Sequence, residues 1–176
     1  VLRYSVGWEN AVWPNPLEDY DQAMELIAAH AKEWHLIPEK IAVIGFSAGG
    51  HLAACAATMA KHRPAAAILA YPVILEGLAA ICAGTDTTVS AMNSLRFVEA
   101  LYENGISAEL HLYAFGPHGF STARTSIADP AELCSRTLHW VEDTISWLED
   151  VFGAFTSGLL ALQTEIRWIS FYKMVK

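Results

Sequence analysis

The chain has no block of basic residues: Lys and Arg total 11 against 19 Asp and Glu, for a formal charge of -8. Binding a polyanion needs clustered cations, so nucleic acid and anionic membrane surfaces are poor partners for it. Cysteine is scarce. Cys55, Cys82 and Cys134 are an odd number, widely spaced, each in an apolar segment. They read as buried reduced thiols rather than a disulfide framework, which points to a reducing compartment and an expectation of a cytoplasmic protein. Metal-ligand spacing is missing as well: the seven histidines are scattered, with no H-x-x-x-H and no C-x-x-C. Neither a metal nor an organic cofactor is expected. The uncharged run from Val151 to Thr164 is too short to span a bilayer. No initiator methionine precedes Val1, so further chain is expected upstream, and the lack of a signal peptide here carries no information.

What is present is apolar. Hydrophobic residues make up 53% of 176 positions, enough for one domain with a sizeable core. Val1 to Tyr4 reads as a strand. After a loop with Gly7, Pro14 and Pro16, Leu17, Tyr20, Met24, Ile27, Ala28 and Ala31 recur at helical spacing. Glu18, Asp19 and Asp21 then suit the first turn of that helix. Strands are predicted at Ile41 to Ile44, Ala65 to Tyr71, Leu78 to Cys82 and Ser107 to Phe115. Helices are predicted over His51 to Lys61, from about Ser90 to Asn104 with Gly105 as C-cap, and after the start signal Asp129-Pro130. Repeated strand–helix units with near-continuous apolar strands imply an α/β fold, a mostly parallel sheet with helices on both faces.

The most informative segment is Gly45-Phe46-Ser47-Ala48-Gly49-Gly50. It joins an apolar strand to an alanine-rich helix through a corner that carries a serine, the G-x-S-x-G pattern of a nucleophile elbow. Gly45 and Gly49 are expected to leave room for the strand and helix backbones to close up. The corner would lift the Ser47 hydroxyl above the sheet edge, and the Ala48 N–H would be one oxyanion donor. In a parallel sheet the chemistry belongs at the carboxyl ends of the strands. Asp86 follows the strand ending at Cys82, and His118 follows the strand ending at Phe115. A serine hydroxyl needs a base, and the base needs an acid to hold its tautomer. The chain order Ser47, Asp86, His118 therefore reads as nucleophile, acid and base. His51 is read as a neighbour close enough to line the site, and His111 as a packed or half-exposed strand residue. Asp129 is read as a cap. Trp8 and Trp13 would either wall a pocket or pack in the core.

With these motifs in order, the chain resembles bacterial α/β-hydrolase esterases, specifically the acetyl xylan esterase-like and bifunctional feruloyl/acetyl xylan esterase-like groups. Val1 to Val6, Trp13-Pro14-Asn15-Pro16-Leu17-Glu18-Asp19, Ile41 to Ala53, Asn93 to Phe97, Glu109 to Tyr113 and Gly116-Pro117-His118-Gly119 carry the resemblance, over roughly residues 1–150. It implies Ser47 as nucleophile, Asp86 as acid, His118 as base, and small acyl esters on plant carbohydrate as substrates. Asp86-Thr87-Thr88-Val89-Ser90 keeps the family's acid spacing but has Ser90 in place of proline. The family's glycine-rich turn, with its second oxyanion donor, would lie upstream of Val1. A long excursion usual after Tyr71-Pro72-Val73 is reduced to Ile74 to Gly77.

Residues 151–176 are set apart as an apolar helical tail. Leu138, Val141, Ile145, Leu148, Phe152, Phe155, Leu159, Leu162, Ile166 and Ile169 alternate steps of three and four, a seam of the kind helices use to pair. It would either cover part of the body or form a homodimer contact. Two alternatives to an esterase stay open on the residues alone: a prolyl-oligopeptidase-like serine peptidase, separable by amide against ester turnover, and a catalytically inactive hydrolase remnant.

Overall fold

A computed structural model describes residues 1–7, 9, 13–73, 81–123 and 129–153. Helices α1 (Asn15–His30), α2 (Ala48–Met59), α3 (Ala91–Glu103) and α4 (Trp140–Phe152) and strands β1 (Ala42–Phe46), β2 (Ala66–Ala70), β3 (Ile81–Ala83) and β4 (His111–Tyr113) follow one another in the order α1-β1-α2-β2-β3-α3-β4-α4. The strands form one sheet in the order β1-β2-β3-β4, and every pairing is parallel. β2 shows why helices cover both faces. Its Ile68 and Ala70 enter a cluster with Trp140 of α4, whereas Leu69, with Ala67, packs with Ala53 and Ala54 of α2 and Phe97 of α3. Side chains alternate at period two, so a strand apolar at every position needs a helix on each side.

Several expectations change. Val1 to Tyr4 is irregular rather than a strand. A strand needs a neighbour's ladder, and these residues pair with none of the four; Leu2 and Tyr4 instead pack against the cluster between α1 and α2. Asp19 and Asp21 act as tethers rather than as first-turn charges. Asp19 Oδ2 accepts the Ser5 N–H at 2.6 Å, and the Asp21 carboxylate accepts the Lys61 and His62 N–H groups at 3.2 and 2.9 Å. The predicted strand to Phe115 shrinks to His111–Tyr113, which pairs with the described residues Ile81–Ala83 of β3; residues 78–80 of the predicted strand Leu78 to Cys82 lie outside the described part. Asp129-Pro130 starts a short 3-10 turn, Pro130–Glu132, capped by Asp129 Oδ1 on the Ala131 N–H at 2.9 Å. Cys134 is then extended (φ -57, ψ 139), which breaks the run, and the last α-helix begins at Trp140.

β3 meets β2 at a single register pair, Ala70 with Ile81. Among the described residues, the amino-terminal part of β2 has no strand partner on that side, and a cavity of about 390 Å³ lies there, lined by Ala66, Leu69, Phe97, Leu101 and Trp147 among others. It lies at the opposite end of the sheet from the strand termini that carry Ser47, Asp86 and His118. The predicted seam starts on the body, where Val141 and Leu148 pack against the core. The division drawn at residue 150 falls inside α4, and residues 154–176 lie outside the described part.

Two phenols, Tyr20 and Tyr113, are buried with no hydrogen-bond partner among the described residues. Burial pushes both up from the ordinary value of 10.0 to about 12, helped at Tyr20 by the Asp21 charge and at Tyr113 by Asp143. The folded state thus holds these protons more tightly than the unfolded state. Their favourable term is complete below pH 10 and is lost as pH rises towards about 12. Tyr113→Phe removes an unpaired hydroxyl, so stability at neutral pH should stay level or rise by about 1 kcal/mol. The loss above pH 10 should also shrink. Urea titrations at neutral pH and near pH 11 check both; a variant less stable at neutral pH would show that the hydroxyl is paired.

Candidate active site

At the end of β1 the chain turns through Ser47 with φ 50 and ψ -117, a left-handed conformation that costs a side-chain-bearing residue roughly 1–3 kcal/mol. The strain is held by hydrogen bonds on both sides. The Ser47 N–H extends the β1–β2 ladder to the Ala70 carbonyl at 3.0 Å, while the Ser47 carbonyl accepts the His51 and Val73 N–H groups, each at 3.2 Å. Helix α2 starts at once with Ala48, whose N–H belongs to the first turn and has no i-4 carbonyl to meet.

The glycines divide the work differently from the expectation. A Cβ on Gly45 would overlap the Gly49 carbonyl, so this position has no space for a side chain. At Gly49 the nearest atom would be the Tyr4 hydroxyl at 3.8 Å, an ordinary contact, whereas at Gly50 a Cβ would lie 2.8 Å from Pro72 Cβ. The close approach rests on Gly45 and Gly50, not on Gly49. Gly45→Ala should accordingly cost about 3 kcal/mol or more, in the range of other severe overpacking changes, and Gly49→Ala little. Denaturant midpoints of the two variants test this, and equal losses would contradict it.

Asp86 and His118 arrive from the carboxyl ends of β3 and β4. His118 Nε2 lies 2.9 Å from Ser47 Oγ, and His118 Nδ1 lies 2.7 Å from Asp86 Oδ2. The Asp86 side chain is 1% exposed and that of His118 19%. A buried carboxylate must have its lone pairs occupied. Asp86 Oδ1 does so by accepting the Thr88 and Val89 N–H groups at 2.8 and 2.9 Å. With the carboxylate as acceptor, the imidazole proton belongs on Nδ1, and Nε2 is left to accept the Ser47 hydroxyl hydrogen. The three residues picked from sequence thus form one hydrogen-bonded series across three loops.

The other predicted residues are placed as follows. His51 is exposed in the first turn of α2, and its backbone N–H serves the elbow. His111 sits in β4 with Nε2 2.5 Å from Glu109. Trp13 is 53% exposed, and Trp8 lies outside the described residues. Sequence reasoning missed Gly50, which the motif spacing does not mark, and Tyr71, whose ring stands edge-on to His118 at 5.1 Å and 75°. Tyr71 also has a positive φ of 37, a conformation that no residue pattern announces for tyrosine.

The model of the BD-FAE family matches residues 3–101, a span that includes the elbow and Asp86. This chain belongs to the BD-FAE family. An acetylxylan esterase of Xylanibacter ruminicola is 41% identical over 61 residues, 34% of this chain and 13% of that protein. The crystal structure of MGS-M1, an alpha/beta hydrolase from a deep-sea metagenome library of the Medee basin, superposes with a TM-score of 0.78 at 33% identity, over 85% of this chain and 69% of that one. A sugar hydrolase of Lactococcus lactis gives a TM-score of 0.75 at 27% identity, over 84% and 74%. The BD-FAE chain therefore has an α/β-hydrolase fold, and its span is a small fraction of the acetylxylan esterase it resembles.

Proposed function

We propose that this BD-FAE chain carries the reacting groups of a serine carboxylesterase that hydrolyses small acyl esters, acetyl esters foremost, on plant carbohydrate. The observation that supports this most is the unbroken series from Ser47 Oγ through His118 to the buried Asp86 carboxylate. His118 Nε2 takes the hydroxyl proton as Ser47 Oγ attacks the ester carbonyl, and Asp86 holds the ring and balances the imidazolium. The tetrahedral oxyanion forms beside the helix N-terminus, where the Ala48 N–H can donate to it. Collapse expels the alcohol, which receives the proton from His118. Water, deprotonated by the same nitrogen, then releases the acid and restores Ser47. The carbohydrate ester assignment rests on family membership and on the similarity to an acetylxylan esterase.

A fluorophosphonate probe tests the reading directly. Covalent labelling traced to the peptide that carries Ser47, together with turnover of p-nitrophenyl acetate and of acetylated xylo-oligosaccharides but not of the matching anilide, is the expected result. A folded chain that neither labels nor turns over an ester would overturn it.

A further inference from the structure

The loop that carries His118 runs from Gly116 to Ser121, and both of its ends are held by hydroxyls from other segments. Thr85 Oγ1 accepts the Gly116 N–H at 3.0 Å and donates to the Gly116 carbonyl at 3.3 Å, so one hydroxyl satisfies both backbone groups of one residue. At the far end the Tyr71 hydroxyl accepts the Ser121 N–H at 3.1 Å. The loop between has little regular backbone to hold it: Gly119 and Ser121 have φ of 80 and 48, outside both helix and strand. The origins of the two hydroxyls matter. Thr85 immediately precedes Asp86, and Tyr71 immediately follows Ala70, whose carbonyl holds the Ser47 N–H at 3.0 Å. One hydroxyl therefore links the histidine loop to the aspartate turn, and the other links it to the strand beside the serine.

We propose that Thr85 and Tyr71 are positioning residues that clamp the His118 loop between Asp86 and Ser47, and so set both distances in the hydrogen-bonded series. The proposal deepens the esterase reading and rests on it. The geometry it protects is demanding. Oγ-to-Nε2 and Nδ1-to-Oδ2 separations of 2.9 and 2.7 Å have to be met by one ring at the same time. A loop free to drift by about 1 Å would lose one or the other, and a displacement of that size costs roughly 100-fold in rate. Asp86 cannot supply the restraint alone, because it bonds only Nδ1 and leaves the ring free to pivot about that contact. Tyr71 restrains the pivot with its ring, edge-on to the imidazole, and its hydroxyl then fixes the loop beyond it.

The variants follow from the chemistry. Thr85 is exposed, so Thr85→Val keeps the shape, removes both bonds to Gly116 and has little packing to lose. Thr85→Ser keeps the hydroxyl. Tyr71→Phe keeps the ring against His118 and removes the Ser121 bond. Two readouts are taken on each variant of the chain: kcat and KM for p-nitrophenyl acetate, and the proton NMR resonance of the His118 Nδ1–H, which a short bond to a buried carboxylate shifts far downfield. Thr85→Val and Tyr71→Phe should each lower kcat by roughly 10- to 100-fold with KM little changed, and should broaden or lose that resonance. Thr85→Ser should recover both. An unchanged kcat and resonance in Thr85→Val and Tyr71→Phe would overturn the clamp, as would a Thr85→Ser variant as impaired as Thr85→Val. If Thr85→Val does not fold, Tyr71→Phe alone carries the same two outcomes. A parent chain that shows the resonance but hydrolyses no ester would refute the esterase reading, while the response of the resonance to the substitutions would still decide the clamp.

Discussion

Ser47→Ala should reduce ester hydrolysis by about a million-fold, His118→Ala by nearly as much, and the double variant by no more than either single one. The reason is that the two groups act in one step. Without the hydroxyl, His118 has no proton to take; without the imidazole, the hydroxyl at 2.9 Å has nothing to receive its proton. What remains in each case is rate from binding and from the oxyanion donors. Stability should be almost untouched by Ser47→Ala, because alanine carries the same Cβ through φ 50 and the bonds that hold the elbow use the Ser47 backbone. Initial rates on p-nitrophenyl acetate with purified single and double variants, beside their urea midpoints, give the answer. Losses that multiply in the double variant would mean that the residues act independently, and the proposed step would then be wrong.

Asp86→Asn should lower kcat by about 1,000- to 10,000-fold and leave the fold intact. This follows from which oxygen does what. Oδ1 accepts two backbone N–H groups, from Thr88 and Val89, so the asparagine carbonyl oxygen must take that place. The amide NH2 then faces His118 Nδ1, where it can only donate. The ring is driven to the tautomer with its proton on Nε2, which cannot accept a proton from Ser47. Asp86→Ala differs in kind, because it also removes the acceptor of two turn bonds, and it should lose roughly 1–3 kcal/mol of stability besides activity. Comparing kcat and the denaturant midpoint for both variants separates the tautomer effect from loss of the turn. An asparagine variant that retains most of its activity would remove Asp86 from the mechanism.

Legibility differed sharply between local and non-local features. The elbow could be read because its demands are local: a strand, a serine and glycine spacing within six residues, with a helix following. Asp86 and His118 could be read because parallel strands all present their carboxyl ends to one edge, so a polar residue just past each strand is a candidate without any knowledge of strand order. Strand length was less legible. His111–Tyr113 is the part that pairs with the described residues of β3, and nothing between Ser107 and Phe115 encodes which residues will meet a distant strand. Val1 to Tyr4 has strand composition and no partner among the described strands, and composition alone does not make a ladder. Asp129-Pro130 carries a true capping interaction, but what it caps is one 3-10 turn, because Leu133 and Trp140 are both drawn into the core on either side of an extended Cys134.

By itself the amino-acid sequence determined the α/β class, the corner at Ser47 and the identity and order of the three residues that meet there, since each depends on periodicity or spacing within a few residues. Only the tertiary structure decided that Gly50 rather than Gly49 carries the close packing, because the obstacle is Pro72 from another segment. It alone decided that Asp86 Oδ1 is occupied by its own turn while Oδ2 is free for His118. It also decided that hydroxyls from Thr85 and Tyr71 hold the two ends of the His118 loop, across sequence separations of 31 and 50 residues. Contacts of that range are made by the folded chain closing on itself, and a hydroxyl in a sequence does not say which distant backbone group it will meet.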